Sequence, residues 1–109
     1  MYIETTYMSF GFSKVEGFEW DRGNVSKSAQ KHQISIEETE EIFFRAPWVH
    51  ADSRPGDVEP RFAAFSCSER GRVLRVVFTI RNRRIRPISA RPASREERLN
   101  YEKALRERG

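Results

Sequence analysis

The stretch "VLRVVFTIRNRRIRPISAR", residues 73–91, decides the fold. Its first half alternates without a break, with Leu74, Val76, Phe78 and Ile80 on one side and Arg75, Val77, Thr79 and Arg81 on the other. Successive strand side chains point to opposite faces, so this is a strand with one apolar and one polar side. Asn82 suits the tight turn of a hairpin, and "RIRPISAR", residues 84–91, is expected to return antiparallel. On strict alternation Arg86, Ile88 and Ala90 share one side of that strand, and Ile85, Ser89 and Arg91 the other. Pro87 has no N–H to give to a ladder, which places the strand at a sheet edge or gives it a bulge.

Upstream, "RFAAFSC" (61–67) reads as a third strand, and "SERGR" supplies the turn between the two. "APWVHADSRPGDVEP" (46–60), punctuated by Pro47, Pro55, Gly56 and Pro60, reads as a long surface loop. Before it, Ser35 and Glu38 stand at capping-box spacing ahead of a helix whose Ile36, Thr39, Ile42 and Phe43 recur near one face. "VEGFEWD" (15–21) suggests a short strand, with Asp21 placed to cap a helix of mediocre propensity over residues 22–32. Downstream, Ser94 and Glu97 repeat the capping box before a helix that puts Arg98, Tyr101 and Leu105 on one stripe. The fold class is therefore α+β: a small antiparallel β-sheet packed with two helices from the N-terminal half and one C-terminal helix. One sheet face must be covered by helices. The other, carrying Arg75, Thr79, Arg81, Ser89 and Arg91, is expected to be an open cationic surface.

The totals agree with one small domain. The chain has 109 residues, 38% hydrophobic and 33% charged, and a mean hydropathy of -0.72. That fits a soluble domain with one modest core. Residues 1–15 read as an N-terminal extension and 16–109 as a single domain. No apolar run approaches a membrane span, and no secretory start is visible, so a cytoplasmic location is expected. Cys67 is the one cysteine; it has no partner for a disulfide and reads as a half-buried strand residue. Net charge is +4 and the pI about 9.6. Acids gather at Glu37, Glu38, Glu40 and Glu41, whereas Arg81, Arg83, Arg84, Arg86, Arg91, Arg95 and Arg98 crowd a later stretch. Such a stretch favours phosphates, or else simply solvates the domain.

Several segments in order carry a family likeness. "FEWDRGN" with Lys27, the pair Lys31-His32, "SIEETEEIFF", "EPRF", "GRVLRVVFTIR", "RIRPISAR" and "SREERLNY" together resemble the BrnT family of bacterial type II toxins across residues 18–101. The chain departs from the usual pattern at Ser28, Gln33, Pro60 and Pro87. The resemblance implies a RelE-like, microbial-ribonuclease-like fold and an endoribonuclease activity that inhibits translation. It also implies a BrnA-like antitoxin whose ribbon-helix-helix domain carries the complex to operator DNA, and a homodimer within that complex. No cofactor is implied.

Metal-free RNA cleavage needs removal of a 2'-hydroxyl proton, stabilisation of charge on the phosphate and a proton for the leaving oxygen. His32, with Lys31 beside it, is a candidate for proton exchange and phosphate contact; the plainer reading is a helix end favoured by the dipole. Arg81 and Arg91 are candidates for the phosphate, since a guanidinium binds phosphate oxygens with a paired fork. The alternative for both is ion pairing with Glu59 or Glu97. Glu59 would serve as a general base if its pKa were raised. Arg61, Arg75, Thr79, Arg84, Ser89, Arg98 and Tyr101 complete the expected RNA-binding set, Tyr101 by stacking a base or merely by anchoring its helix. His32 and His50 lack ligand spacing, so no metal site is expected. Trp20 and Trp48 are assigned to packing, with Trp48 the more exposed. A reading from another class is a non-catalytic nucleic-acid-binding regulatory module acting with a DNA-binding partner.

Overall fold

The computed structural model of the protein describes residues 15–21 and 31–108. Four antiparallel strands form one sheet in the order β1-β2-β3-β4, comprising β1 Trp48–Ala51, β2 Phe62–Cys67, β3 Val73–Arg81 and β4 Arg84–Pro92. The α-helices named among the described residues are α1, Ile36–Glu41, which runs into a 3-10 turn over Ile42–Phe44, and α2, Arg95–Glu107. Lys31 and His32 are helical, but the rest of the expected helix at 22–32 lies outside the described residues.

The hairpin forms as its sequence demands. Asn82 and Arg83 sit between Arg81 and Arg84 with φ of 52° and 63°, the two positive values of a two-residue type I' turn. At the β2–β3 connection Gly71 takes φ 89°, a left-handed backbone that costs glycine nothing. The Ser68 N–H closes that connection onto the Arg72 carbonyl at 2.9 Å.

Two expectations are corrected here. Residues 46–60 are not all loop: Trp48, Val49, His50 and Ala51 pair with Phe65, Ala64, Ala63 and Phe62, so the meander has four strands. The faces of β4 also differ from strict alternation. Val77 pairs with Ser89 but Phe78 with Pro87, which leaves Ile88 as an extra residue in a bulge. A bulge of one residue exchanges faces beyond it. Ile85, Pro87 and Ala90 thus all turn to the core side, paired with Ile80, Phe78 and Val76, while Arg84, Arg86, Ser89 and Arg91 share the other side with Arg81, Thr79, Val77 and Arg75. Pro87 therefore marks both an edge strand and a bulge. Residues 16–19 cover part of that edge: the Ile85 N–H donates to Gly17 O, and the Glu16 and Glu19 N–H groups to Arg83 O and Ile85 O, at 2.7–2.9 Å.

The main core fills the side of the sheet that carries α1. Ile42, Phe43, Leu74, Val76, Phe78 and Ile85 are fully buried there, with Val15, Ile34, Ala64 and Ala90. Phe43 meets Phe78 edge-on at 5.1 Å. Each such side chain is worth about 1.5–3 kcal/mol of burial. On the opposite face α2 covers only one end, where Tyr101 packs with Ala63 and Phe65 beside Trp48, Val73 and Ala93. Trp48 is half-buried on β1 rather than exposed in a loop. Of the expected α2 stripe only Tyr101 is buried; Leu105 is 36% exposed and Arg98 is at the surface.

The two predicted serine caps are present, with a difference, while the helix that Asp21 was expected to cap lies outside the described residues. Ser94 and Glu97 make the full reciprocal box. Ser35 accepts from the Glu38 N–H at 3.0 Å, but the Glu38 carboxylate turns inward to Arg72 (2.6 and 2.8 Å) and the Ser68 hydroxyl (2.8 Å). No helix among the described residues is long and apolar enough to cross a membrane.

Candidate functional site

The side of the sheet opposite α1 presents side chains in cross-strand rows, set by the register. Trp48, Phe65, Arg75 and Arg91 form the row nearest α2, followed by His50, Ala63, Val77 and Ser89. Thr79 pairs with Arg86, and the β2–β3 register continued by one residue brings Arg61 to the other side of Thr79. Arg81 and Arg84 close the face at the hairpin.

This face is cationic, but it is neither bare nor open throughout. Arg91 holds Glu97 of α2 through two bonds, 2.7 and 2.9 Å. Arg75, only 15% exposed, bridges Glu97 at 3.4 Å and Asp52 at 3.3 Å. Arg86 donates to Asp21 at 2.6 Å, Arg61 lies 4.0 Å from Asp57, and Arg81 is hydrogen-bonded to Glu59. The ion pairs weighed as the plainer reading of Arg81 and Arg91 are therefore present. Arg84 is exposed and makes no ion pair with a described residue. Thr79 and Val77 are buried even though they belong to this face.

These contacts set the titration of the acids. The hydrogen bonds from Arg91 hold the Glu97 carboxyl down at about 2, with the Ser94 N–H adding to the effect. Arg81 holds Glu59 below its ordinary value in the same way, so in the free protein Glu59 does not have the raised pKa that a general base requires. The guanidinium pKa values of Arg81 and Arg91 rise correspondingly, through bonds to Glu59 and Glu97.

Lys31 and His32 do not join this face. The carbonyls of His32 and Gln33 accept from Arg72 at 3.4 and 3.0 Å, and Arg72 is anchored on Glu38 of α1. Gln33 follows with φ 54°, ending the helical turn. Arg72 precedes β3 and Arg81 ends it, so the pair lies roughly 30 Å along the strand from Arg81, at about 3.3 Å per residue. Arg75 and Arg81 are themselves about 20 Å apart by the same measure. Tyr101, at 6% exposure, is an anchor of α2 against the sheet, and Arg98 is exposed on the same helix.

Two residues on the face were not among the expected site residues: Arg86, which strict alternation puts on the other side, and His50. His50 is exposed on β1 and its ring stacks on Phe65 at 5.6 Å, with Trp48 at 5.1 Å. The alternation Trp48, His50 was the signal, obscured by the prolines around it. Among the described residues no group of three or more His, Cys, Asp or Glu side chains is placed to hold a metal ion.

Comparison with known proteins agrees with this architecture. The family model for the ribonuclease toxin BrnT of type II toxin-antitoxin systems matches residues 20–97, which include all four strands. The crystal structure of the Brucella abortus ribonuclease toxin, BrnT, is similar in fold, with a TM-score of 0.52 at 19% identity over 74% of this chain and 100% of that one. No curated protein matches. With most of its length, and the whole arginine-bearing sheet, inside the family match, the chain belongs to the BrnT family of ribonuclease toxins of type II toxin-antitoxin systems.

Proposed function

We propose that this protein is a metal-independent endoribonuclease that acts in the cytoplasm, inhibits translation by cutting RNA, and is neutralised by a BrnA-like ribbon-helix-helix antitoxin through which alone the complex reaches operator DNA. The observation that carries the reading is the arginine face, where Arg75 and Arg91, Arg61 and Arg86, and Arg81 and Arg84 stand on three of the four cross-strand rows of one sheet. Side chains on strands are positioned better than side chains on loops, and planar guanidinium forks match phosphate oxygens.

In this mechanism Arg81 holds the phosphodiester that is cut and stabilises the negative charge that grows on it, while Arg91, about 20 Å away along the sheet, holds another phosphate of the same RNA strand. RNA must first replace Glu59 and Glu97 as their acceptor. Once Arg81 turns to phosphate, Glu59 loses the hydrogen bond that depresses its pKa and becomes a stronger base beside the substrate. An imidazole moves protons near neutral pH, and of the two histidines His50 is the one that shares the face. Lys31 and His32 are left to a contact outside it.

The test is direct. Purified, antitoxin-free protein incubated with RNA is expected to cut equally well with and without EDTA, leaving 2',3'-cyclic phosphate ends. Loss of cutting on chelation contradicts the mechanism, and retardation of RNA without cutting favours the regulatory module instead.

A further inference from the structure

The row Arg61, Thr79, Arg86 has a feature that the surrounding ion pairs do not explain. Thr79 is 5% exposed, and its hydroxyl oxygen is buried without a hydrogen-bond partner among the described residues. The Arg61 Nε is buried and unpartnered as well. Folded proteins satisfy the great majority of such groups, because each one left alone costs free energy. Here two belong to residues that the register places opposite one another, on backbones about 5 Å apart.

The backbone at this point is fixed rather than strained. The Arg61 N–H donates to the Ser53 hydroxyl at 2.9 Å, and its carbonyl accepts from the Asp52 N–H at 2.8 Å. On the far side of Thr79, Arg86 reaches outward to Asp21. In the register Thr79 is thus flanked by two arginines whose terminal nitrogens are already paired with carboxylates, Arg61 with Asp57 and Arg86 with Asp21.

We infer that Arg61, Thr79 and Arg86 form a phosphate subsite for the RNA backbone, next to the one assigned to Arg81. The inference rests on the proposed RNA-cleaving role of this face and adds a second contact point to it. A phosphodiester suits the row: its non-bridging oxygens accept from Thr79 and Arg61, and its charge is met by Arg86 from the other side. The row lies two residues along β3 from Arg81, about 7 Å, so successive phosphates of one extended strand can occupy both places. Entry requires the Arg61 and Arg86 side chains to move, exchanging their half-exposed partners Asp57 and Asp21 for the phosphate.

The experiment measures binding of a 2'-O-methyl RNA oligonucleotide, which lacks the attacking hydroxyl, to the full chain by fluorescence anisotropy. Thr79→Val is expected to weaken binding about tenfold and at the same time to melt higher than the wild type, since valine removes an unsatisfied buried hydroxyl and little else. Arg61→Lys, which keeps the charge but loses the Nε–H, is expected to weaken binding by a similar factor. Wild-type binding matched by Thr79→Val and Arg61→Lys overturns the subsite and leaves the ribonuclease reading in place. Absence of binding by the wild-type chain overturns both.

Discussion

Arg91 and Glu97 are joined by two parallel bonds of 2.7 and 2.9 Å, and the same Glu97 carboxylate also accepts the Ser94 N–H at 2.8 Å. One side chain therefore caps α2 and ties that helix to β4. Because these donors hold its pKa at about 2 against an ordinary 4.5, the unfolded chain takes up a proton at Glu97 before the folded chain does. Stability from this group is complete above pH 4.5 and is lost as pH falls from about 4.5 to about 2. The loss amounts to at most about 3 kcal/mol. Glu38 and Glu59, lowered by Arg72 and Arg81, act in the same direction. Thermal melts between pH 6 and 2 are expected to show that decline, with a shallower slope in Glu97→Gln.

A second stability prediction concerns the Glu38-Arg72 pair. Glu38 is 5% exposed and takes two hydrogen bonds from the Arg72 guanidinium. Arg72→Ala strands a buried carboxylate, for which losses of about 3–5 kcal/mol are usual. Arg70, at 3.6 Å, softens this toward the lower figure. Urea denaturation is expected to show it, and Arg72→Ala combined with Glu38→Leu should recover much of the loss.

What the sequence revealed, and what it hid, follows from the range of the interactions. Local signals told the truth: the apolar alternation of β3, the Asn82 turn and the Ser94 box all depend on residues a few positions apart. The bulge at Ile88 was hidden, because one extra residue is invisible until Val77 and Phe78 reveal which partner each takes. Without it Ile85 and Arg86 fall on the wrong sides. β1 was masked by Pro47, Pro55 and Pro60, although an edge strand of four residues fits between them. The candidate site fared similarly. The arginines were evident, whereas their carboxylate partners Asp21, Asp52 and Asp57, from 65 to 4 residues away, depend on the completed fold.

The two histidines can be told apart by activity. His50 shares the arginine face, while His32 is attached to Arg72 through its backbone on the other side. Positioned proton transfer contributes roughly a hundredfold to ten-thousandfold in rate. His50→Gln is therefore expected to lower RNA cleavage by about a hundredfold with little change in melting temperature, and His32→Gln to leave cleavage near the parental rate. The opposite ranking would place proton transfer at the Lys31-His32 turn.

The most direct test of the arginine face compares Arg81→Ala with Leu74→Ala. Arg81 is an exposed side chain paired with Glu59, whereas Leu74 is fully buried in the core. Leu74→Ala is expected to cost about 2–5 kcal/mol of stability through a cavity. Arg81→Ala should melt close to the parent, and cleavage of one defined RNA in EDTA should fall about a hundredfold to a thousandfold, as for loss of one positioned donor to a developing oxyanion. An Arg81→Ala protein that melts with the parent and still cuts RNA at the parental rate would remove Arg81 from the site and contradict the arginine face as the seat of activity.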